Sequence, residues 1–152
     1  VPMRAIQNGR YGYIYNPFSD QKHWYRNNNE GKTMAAMQAA AKSDQAIAER
    51  IKLFRYRVPE EFYDLLNDPD CLNNLIDESR HQAALPSLRS ELEGWMKRTK
   101  DPMLVVFQKR NDAAYREAYV QKEEEKALER RKQRRGKNQR SSPIPAKQAS
   151  RI

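Results

Sequence analysis

The chain has 152 residues, a formal net charge of +9, 38% hydrophobic and 32% charged residues, and a mean hydropathy of -1.07. That length suits one domain, and the composition leaves apolar material for only a small core with uncovered segments beside it. The single cysteine, Cys71, excludes an internal disulfide and a multi-cysteine zinc site, and no run approaches the roughly 20 apolar residues that span a bilayer.

The charge is unevenly placed. Residues 121–152 hold 11 Lys/Arg against 4 Asp/Glu, whereas residues 1–120 hold 18 against 16, so the basic character belongs to the tail. The N-terminus carries no charged-then-apolar signal pattern. The chain opens at Val1 directly into strand-like sequence, which predicts a longer parent with residues upstream.

Met3 to Gln7 and Arg10 to Tyr15 alternate apolar and polar residues around Asn8-Gly9, which predicts a β-hairpin. Asn-Gly suits a two-residue type I′ turn because both positions tolerate positive φ. Pro17 to Gly31 has turn residues at both ends and an aromatic middle, predicting a loop or irregular strand. Lys32 to Phe54 is rich in Ala, Met and Gln, with Met34, Met37, Ala41, Ile47, Ile51 and Phe54 near helical spacing. Two short helices are expected, broken at Ser43-Asp44, with one of that pair capping the second.

Glu60 to Leu65 reads as a strand that pairs with the hairpin, followed by the turn Asn67-Asp-Pro-Asp70 and by Asn73-Asn-Leu75. Asp77 to Arg98 is the best amphipathic stretch, with Leu85, Leu88, Leu92, Trp95 and Met96 three or four residues apart and Pro86 marking the start of the main helix. Asp101-Pro102 ends it, and Met103 to Phe107 is a short apolar segment of open assignment. Residues 112–135 favour helix but are almost uniformly charged, and from Gly136 onward Ser, Pro, Lys, Arg and Gln imply disorder. The expected architecture is α+β: a small antiparallel sheet, made of the hairpin and the 60–65 strand, packed by an amphipathic helix. The division is a body over 1–110, a charged helical extension over 111–135 and a disordered basic tail over 136–152.

Several of these segments, in this order, resemble the C-terminal subdomain of sulfatases over roughly residues 1–102. They are Pro2-Met-Arg-Ala-Ile6, the Asn-Gly hairpin, Tyr11-Gly-Tyr-Ile-Tyr-Asn16, Glu61-Phe-Tyr-Asp64, Asn67-Asp-Pro69, Asn73-Asn-Leu75 and the Leu88/Leu92/Trp95 helix. The likeness is strongest to the heparan N-sulfatase branch, the N-sulfoglucosamine sulfohydrolases, with their Pro-Met-Arg strand, aromatic insert and Trp-then-Asp-Pro helix exit. The resemblance implies an alkaline-phosphatase-like parent whose N-terminal catalytic domain carries calcium and a formylglycine nucleophile and hydrolyses a sulfamate or sulfate ester on a sulfated glycan. It also implies an exported, periplasmic or lysosome-like compartment.

The formylglycine signature, Cys/Ser-x-Pro-Ser/Ala-x-Arg, does not occur in these 152 residues. Cys71 lacks the required Pro and Arg, Ser141-Ser-Pro-Ile-Pro145 lacks the following Ser/Ala and Arg, and Ala84-Leu-Pro-Ser87 has Ala at the nucleophile position. No catalytic residue and no metal ligand is therefore assigned. The carboxylates lie singly, without a tight acidic loop for calcium, and His23 and His81 are too few for a histidine-rich zinc site.

By motif, the resemblance places Arg4 and Glu61 beside the parent's sugar pocket. Adjacent strands would bring them into an ion pair that supports either the pocket or merely the sheet. His23, Trp24 and Tyr25 form an aromatic loop for which packing and sugar contact are both open, and Arg55 and Arg57 are either solvated or attractive to a sulfated chain. A different class of function comes from Arg130, Arg131, Lys132, Arg134 and Arg135, a polybasic run suited to polyanion binding by a noncatalytic module. That run has no interleaved aromatics for base stacking.

Overall fold

The computed structural model describes residues 2–22 and 31–140, with residues 135–140 as helix backbone. Three strands, β1 (Arg4–Gln7), β2 (Tyr11–Tyr15) and β3 (Glu60–Asp64), form one antiparallel sheet in the order β1-β2-β3. Five α-helices complete it: α1 (Lys32–Ala40), α2 (Gln45–Arg55), α3 (Leu85–Arg98), α4 (Leu104–Gln108) and α5 (Ala113–Arg140). The fold is α+β, with the sheet drawn from the hairpin and the strand that follows α2.

The hairpin forms by a different turn from the one Asn-Gly favours. Gly9 takes no positive φ. Instead the Asn8 side chain closes the corner, its Oδ1 accepting the N–H groups of Arg10 and Tyr11 at 2.9 and 2.7 Å. An Asx turn of this kind replaces backbone freedom with a side-chain acceptor.

The register pairs Arg4 with Tyr15 and Tyr15 with Glu60, while Ala5 pairs with Ile14 and Ile14 with Glu61. Because side chains alternate across a strand, the first set shares one face and the second set the other. On the first face Tyr13, Tyr15 and Phe62 meet Leu85, Leu88, Leu92 and Met96 of α3. Those four helical residues recur at three- and four-residue spacing and supply the buried stripe that the periodicity predicts. Pro86 stands in the first turn of α3, where its missing N–H leaves no intrahelical bond unmade.

Trp95 departs from the expectation. It is 44% exposed, because Leu92 and Met96 occupy the centre of the stripe and leave Trp95 on its rim. The segment of open assignment, Met103 to Phe107, belongs to the core: α4 buries Val106 and Phe107, with Met103 just ahead of it. The Phe107 ring stands 5.1 Å from that of Tyr15, edge-on, and the Tyr15 hydroxyl donates to the Val106 carbonyl at 3.0 Å. This explains why a five-residue helix persists: it is held by packing rather than by its own length.

The break between α1 and α2 falls where expected, with Asp44 as the N-cap accepting the N–H groups of Ala46 and Ile47. After β3 the chain makes its acidic turn, in which the Asp68 carboxylate accepts from Leu72 and Asn73 at 2.9 and 2.7 Å. It then returns along the outer edge of β3. Asn74 works there as a short substitute strand: its Oδ1 accepts from the Phe62 N–H at 2.9 Å, its Nδ2 donates to the Glu60 carbonyl at 3.3 Å, and Leu75 N–H reaches the Phe62 carbonyl at 2.7 Å. An edge that would otherwise be open is thereby satisfied along part of its length.

The charged helix predicted to end at Arg135 continues to Arg140. One glycine, Gly136, costs a helix about 1 kcal/mol and does not stop a run of Arg, Lys and Gln. Residues 141–152, the remainder of the basic tail, lie outside the described residues. No helix among the described residues is long and apolar enough to cross a membrane.

Candidate functional site

Arg4 and Glu61 do not form the expected ion pair. β2 lies between their strands, and the register puts them on opposite faces of the sheet. Each has found another partner. Arg4 grips Asp101 with two nitrogens, Nε to Oδ2 at 2.5 Å and Nη2 to Oδ1 at 3.1 Å, and Nη1 donates to the Met3 carbonyl. Asp101 also accepts the Met103 N–H at 2.8 Å, so this carboxylate ties β1 to the junction between α3 and α4. Burial works against the charged Asp101 carboxylate, but the Arg4 hydrogen bond and the Met103 N–H outweigh it and hold its pKa below the usual range.

Glu61, 1% exposed, sits on the other face. Arg57 donates to both of its oxygens, at 2.7 and 2.5 Å, and the Tyr63 hydroxyl donates at 2.8 Å. Arg57 is therefore neither simply solvated nor aimed at a ligand; it neutralises a buried carboxylate four residues away. Tyr63 has its pKa raised by burial first and by the Glu61 charge second, which keeps its phenol protonated as a donor. A shallow groove of about 270 Å³ runs over this face, lined by Gly12, Ile14, Tyr63, Leu65 and Cys71 among others.

Cys71 is half-buried and has a positive φ of 52°. Burial, then the charges of Asp68 and Glu61, push its thiol pKa up. A thiol so placed is a poor nucleophile, in keeping with a small residue packed beside a turn.

The sequence reading missed a larger cluster on the helix-packed face. Glu60 accepts from the Tyr13 hydroxyl at 2.5 Å and from Arg89 Nε and Nη2 at 2.9 and 2.5 Å, with Arg110 Nε 3.8 Å away. Burial, then the Glu60 charge, raises the Tyr13 pKa, so it too stays a neutral donor. Arg89 lies on the polar flank of α3 and Glu60 at the start of β3, 29 residues apart in the chain. The only sequence signal was Arg89 sitting next to Leu88 in the amphipathic pattern, which does not announce a carboxylate partner.

These groups bind one another and leave little chemistry for a substrate. Each carboxylate that faces the sheet is engaged by an arginine, and the buried tyrosines donate inward. Among the described residues no group of three or more His, Cys, Asp and Glu is arranged to hold a metal ion. His81 lies beside Tyr11, whose hydroxyl is 3.4 Å from Nδ1. His23, Trp24 and Tyr25 lie outside the described residues.

The polybasic run is placed differently. Arg130, Arg131, Lys132 and Arg134 are all exposed on α5, and none of them lies within ion-pairing distance of a carboxylate among the described residues. Arg135 belongs to the same helix. Comparison with known proteins found no family model and no curated protein that matches the chain.

Proposed function

We propose that the chain is the C-terminal subdomain of a sulfatase-family hydrolase acting on sulfated glycans, most like the N-sulfoglucosamine sulfohydrolases. In this reading it completes the fold and one wall of the substrate pocket and is inactive alone. Calcium and formylglycine belong to the catalytic domain of the parent, which is its principal partner.

The observation that carries the reading is the ordered set of segments from Pro2-Met-Arg4 to Asp101-Pro102. Its two ends being joined through Arg4 and Asp101 gives that order a structural logic, since the first strand then depends on the helix exit. Arg4 and Glu61 enter this proposal as positioning residues. All of the Arg4 nitrogens and both Glu61 oxygens are engaged within the chain, so their effect on a sugar pocket runs through the backbone they hold.

The test is to read the coding sequence upstream of Val1 and to express the resulting protein. The expected result is a Cys/Ser-x-Pro-Ser/Ala-x-Arg signature in frame and release of sulfate from an N-sulfated or O-sulfated glucosamine substrate. An upstream sequence without that signature, or a full-length protein that releases no sulfate from either substrate, overturns the proposal.

A further inference from the structure

The outer half of α5 has an exposed surface that no other described residue covers. Tyr115 and Tyr119 anchor its first turns to the core, and the Phe18 and Tyr119 rings are 6.0 Å apart. From Gln121 to Arg134 every residue is exposed except Glu123, which is half-buried and paired with Lys126 at 2.6 Å. The charge then separates along the axis. Residues 121–129 hold four glutamates and two lysines, and residues 130–140 hold seven Lys/Arg and no acid.

A helix stacks residues three and four apart on one side, so Arg130 lies over Arg134 and Arg131 over Arg134 without an intervening carboxylate. Like charges at that spacing weaken a helix by a few tenths of a kcal/mol each. An anion threaded among them removes that repulsion.

We infer that this end of α5 is a docking site for a linear sulfated glycan chain. At about 100° per residue, Arg130, Arg131, Lys132 and Arg134 spread over roughly 200° of the helix circumference. A flexible polyanion can curve around such a surface and meet all four, while a stiff duplex engages chiefly the side it faces. Residues 121–140 contain no aromatic side chain for stacking on exposed bases and only Leu128 as a large apolar residue, so single-stranded nucleic acid and a bilayer surface are poorer fits. The choice of a sulfated chain rests on the sulfatase reading, for which α5 would hold the polymer while the parent's active site works on it.

The test uses the full chain and a variant carrying Arg130→Gln, Arg131→Gln, Lys132→Gln and Arg134→Gln, all on exposed helix where Gln is well tolerated. Heparin is the probe, with a salt gradient on immobilised heparin and a titration near physiological ionic strength. The expected result is earlier elution and a Kd raised about tenfold or more, with unchanged far-UV circular dichroism. Unchanged elution overturns the inference, as does tighter binding to a duplex DNA of matched charge at the same salt. In the parent enzyme, a KM raised for long glycan chains but not for a disaccharide supports it. The two proposals fail separately: sulfate release with heparin elution unaffected by the substitutions removes the docking site alone. Heparin binding lost on substitution, in a parent that releases no sulfate, keeps the docking site and removes the sulfatase reading.

Discussion

Arg4, Arg10, Arg57 and Arg89 each lie within 3.1 Å of a carboxylate, whereas Arg130, Arg131, Lys132 and Arg134 have none within reach among the described residues. The two groups differ in what surrounds them rather than in residue type. In the folded body the sheet and its loops bring acids from distant positions, as with Arg4 and Asp101, 97 residues apart. On a helix beyond its last packing contact, only neighbours three or four residues away are available, and here those are cations or uncharged residues apart from Glu129, three residues before Lys132. The cations of the body are thus part of its stability, and those of α5 remain available to an outside partner.

The largest expected effect tests whether α4 belongs to the body. Phe107, fully buried against Tyr13 and Tyr15, should cost about 3–5 kcal/mol when changed to Ala, read as a lower urea midpoint. A loss below about 1 kcal/mol would mean that α4 contributes little to the core.

Next comes the compensation itself. Asp101→Ala leaves Arg4 without its carboxylate, and because the Arg4 side chain is 22% exposed and partly rehydrates, the expected loss is about 2 kcal/mol rather than the larger value of a sealed pair.

The same residue governs an acid response. Its pKa is lower in the folded state than in the unfolded chain, so the stability it contributes is complete above the unfolded value of about 4 and is lost as pH falls through the folded value. Denaturation midpoints measured from pH 6 down to pH 2 should fall steeply below about pH 4, and the Asp101→Asn variant should show a shallower fall. Asp64 and Glu93, also lowered, add to the same limb.

A smaller effect is expected at the helix cap, where Asp44→Ala removes the acceptor for two N–H groups and should cost about 1 kcal/mol. The smallest belongs to the other side of the comparison. The four substitutions to Gln on α5 should change stability by less than about 0.5 kcal/mol, since none of those side chains is packed or paired among the described residues. A loss as large as that of Asp101→Ala would break the distinction between the two regions.

Local order was legible in the residues to a useful degree. The hairpin, the capped break at Asp44, the strand at Glu60 and the start of α3 at Pro86 all follow from short-range rules of alternation, capping and proline geometry. Where several local solutions exist, the sequence misled: Asn8-Gly9 suits a type I′ turn, yet the Asn8 side chain closes the corner instead. Trp95 fitted the periodic stripe and stands on its rim, because periodicity assigns a face of the helix without saying how wide the neighbouring sheet is.

The candidate site was less legible for a related reason. Arg4 and Glu61 were drawn together by their presence on strands of one sheet, but alternation and the intervening β2 send them to opposite faces. Their true partners, Asp101 and Arg57, lie in a helix exit and a loop, positions whose approach depends on the whole chain path. The Glu60, Arg89 and Tyr13 cluster escaped notice for the same reason.

By itself the sequence determined the α+β order of elements, the apolar stripe of α3 and the concentration of positive charge toward the C-terminus, because each depends on neighbours within a few residues. Only the tertiary structure decided which carboxylate neutralises which arginine, that Met103 to Phe107 completes the core, and that Arg4 and Glu61 stand on opposite faces of the sheet. Those outcomes depend on burial and on contacts between distant segments, which spacing along the chain does not encode.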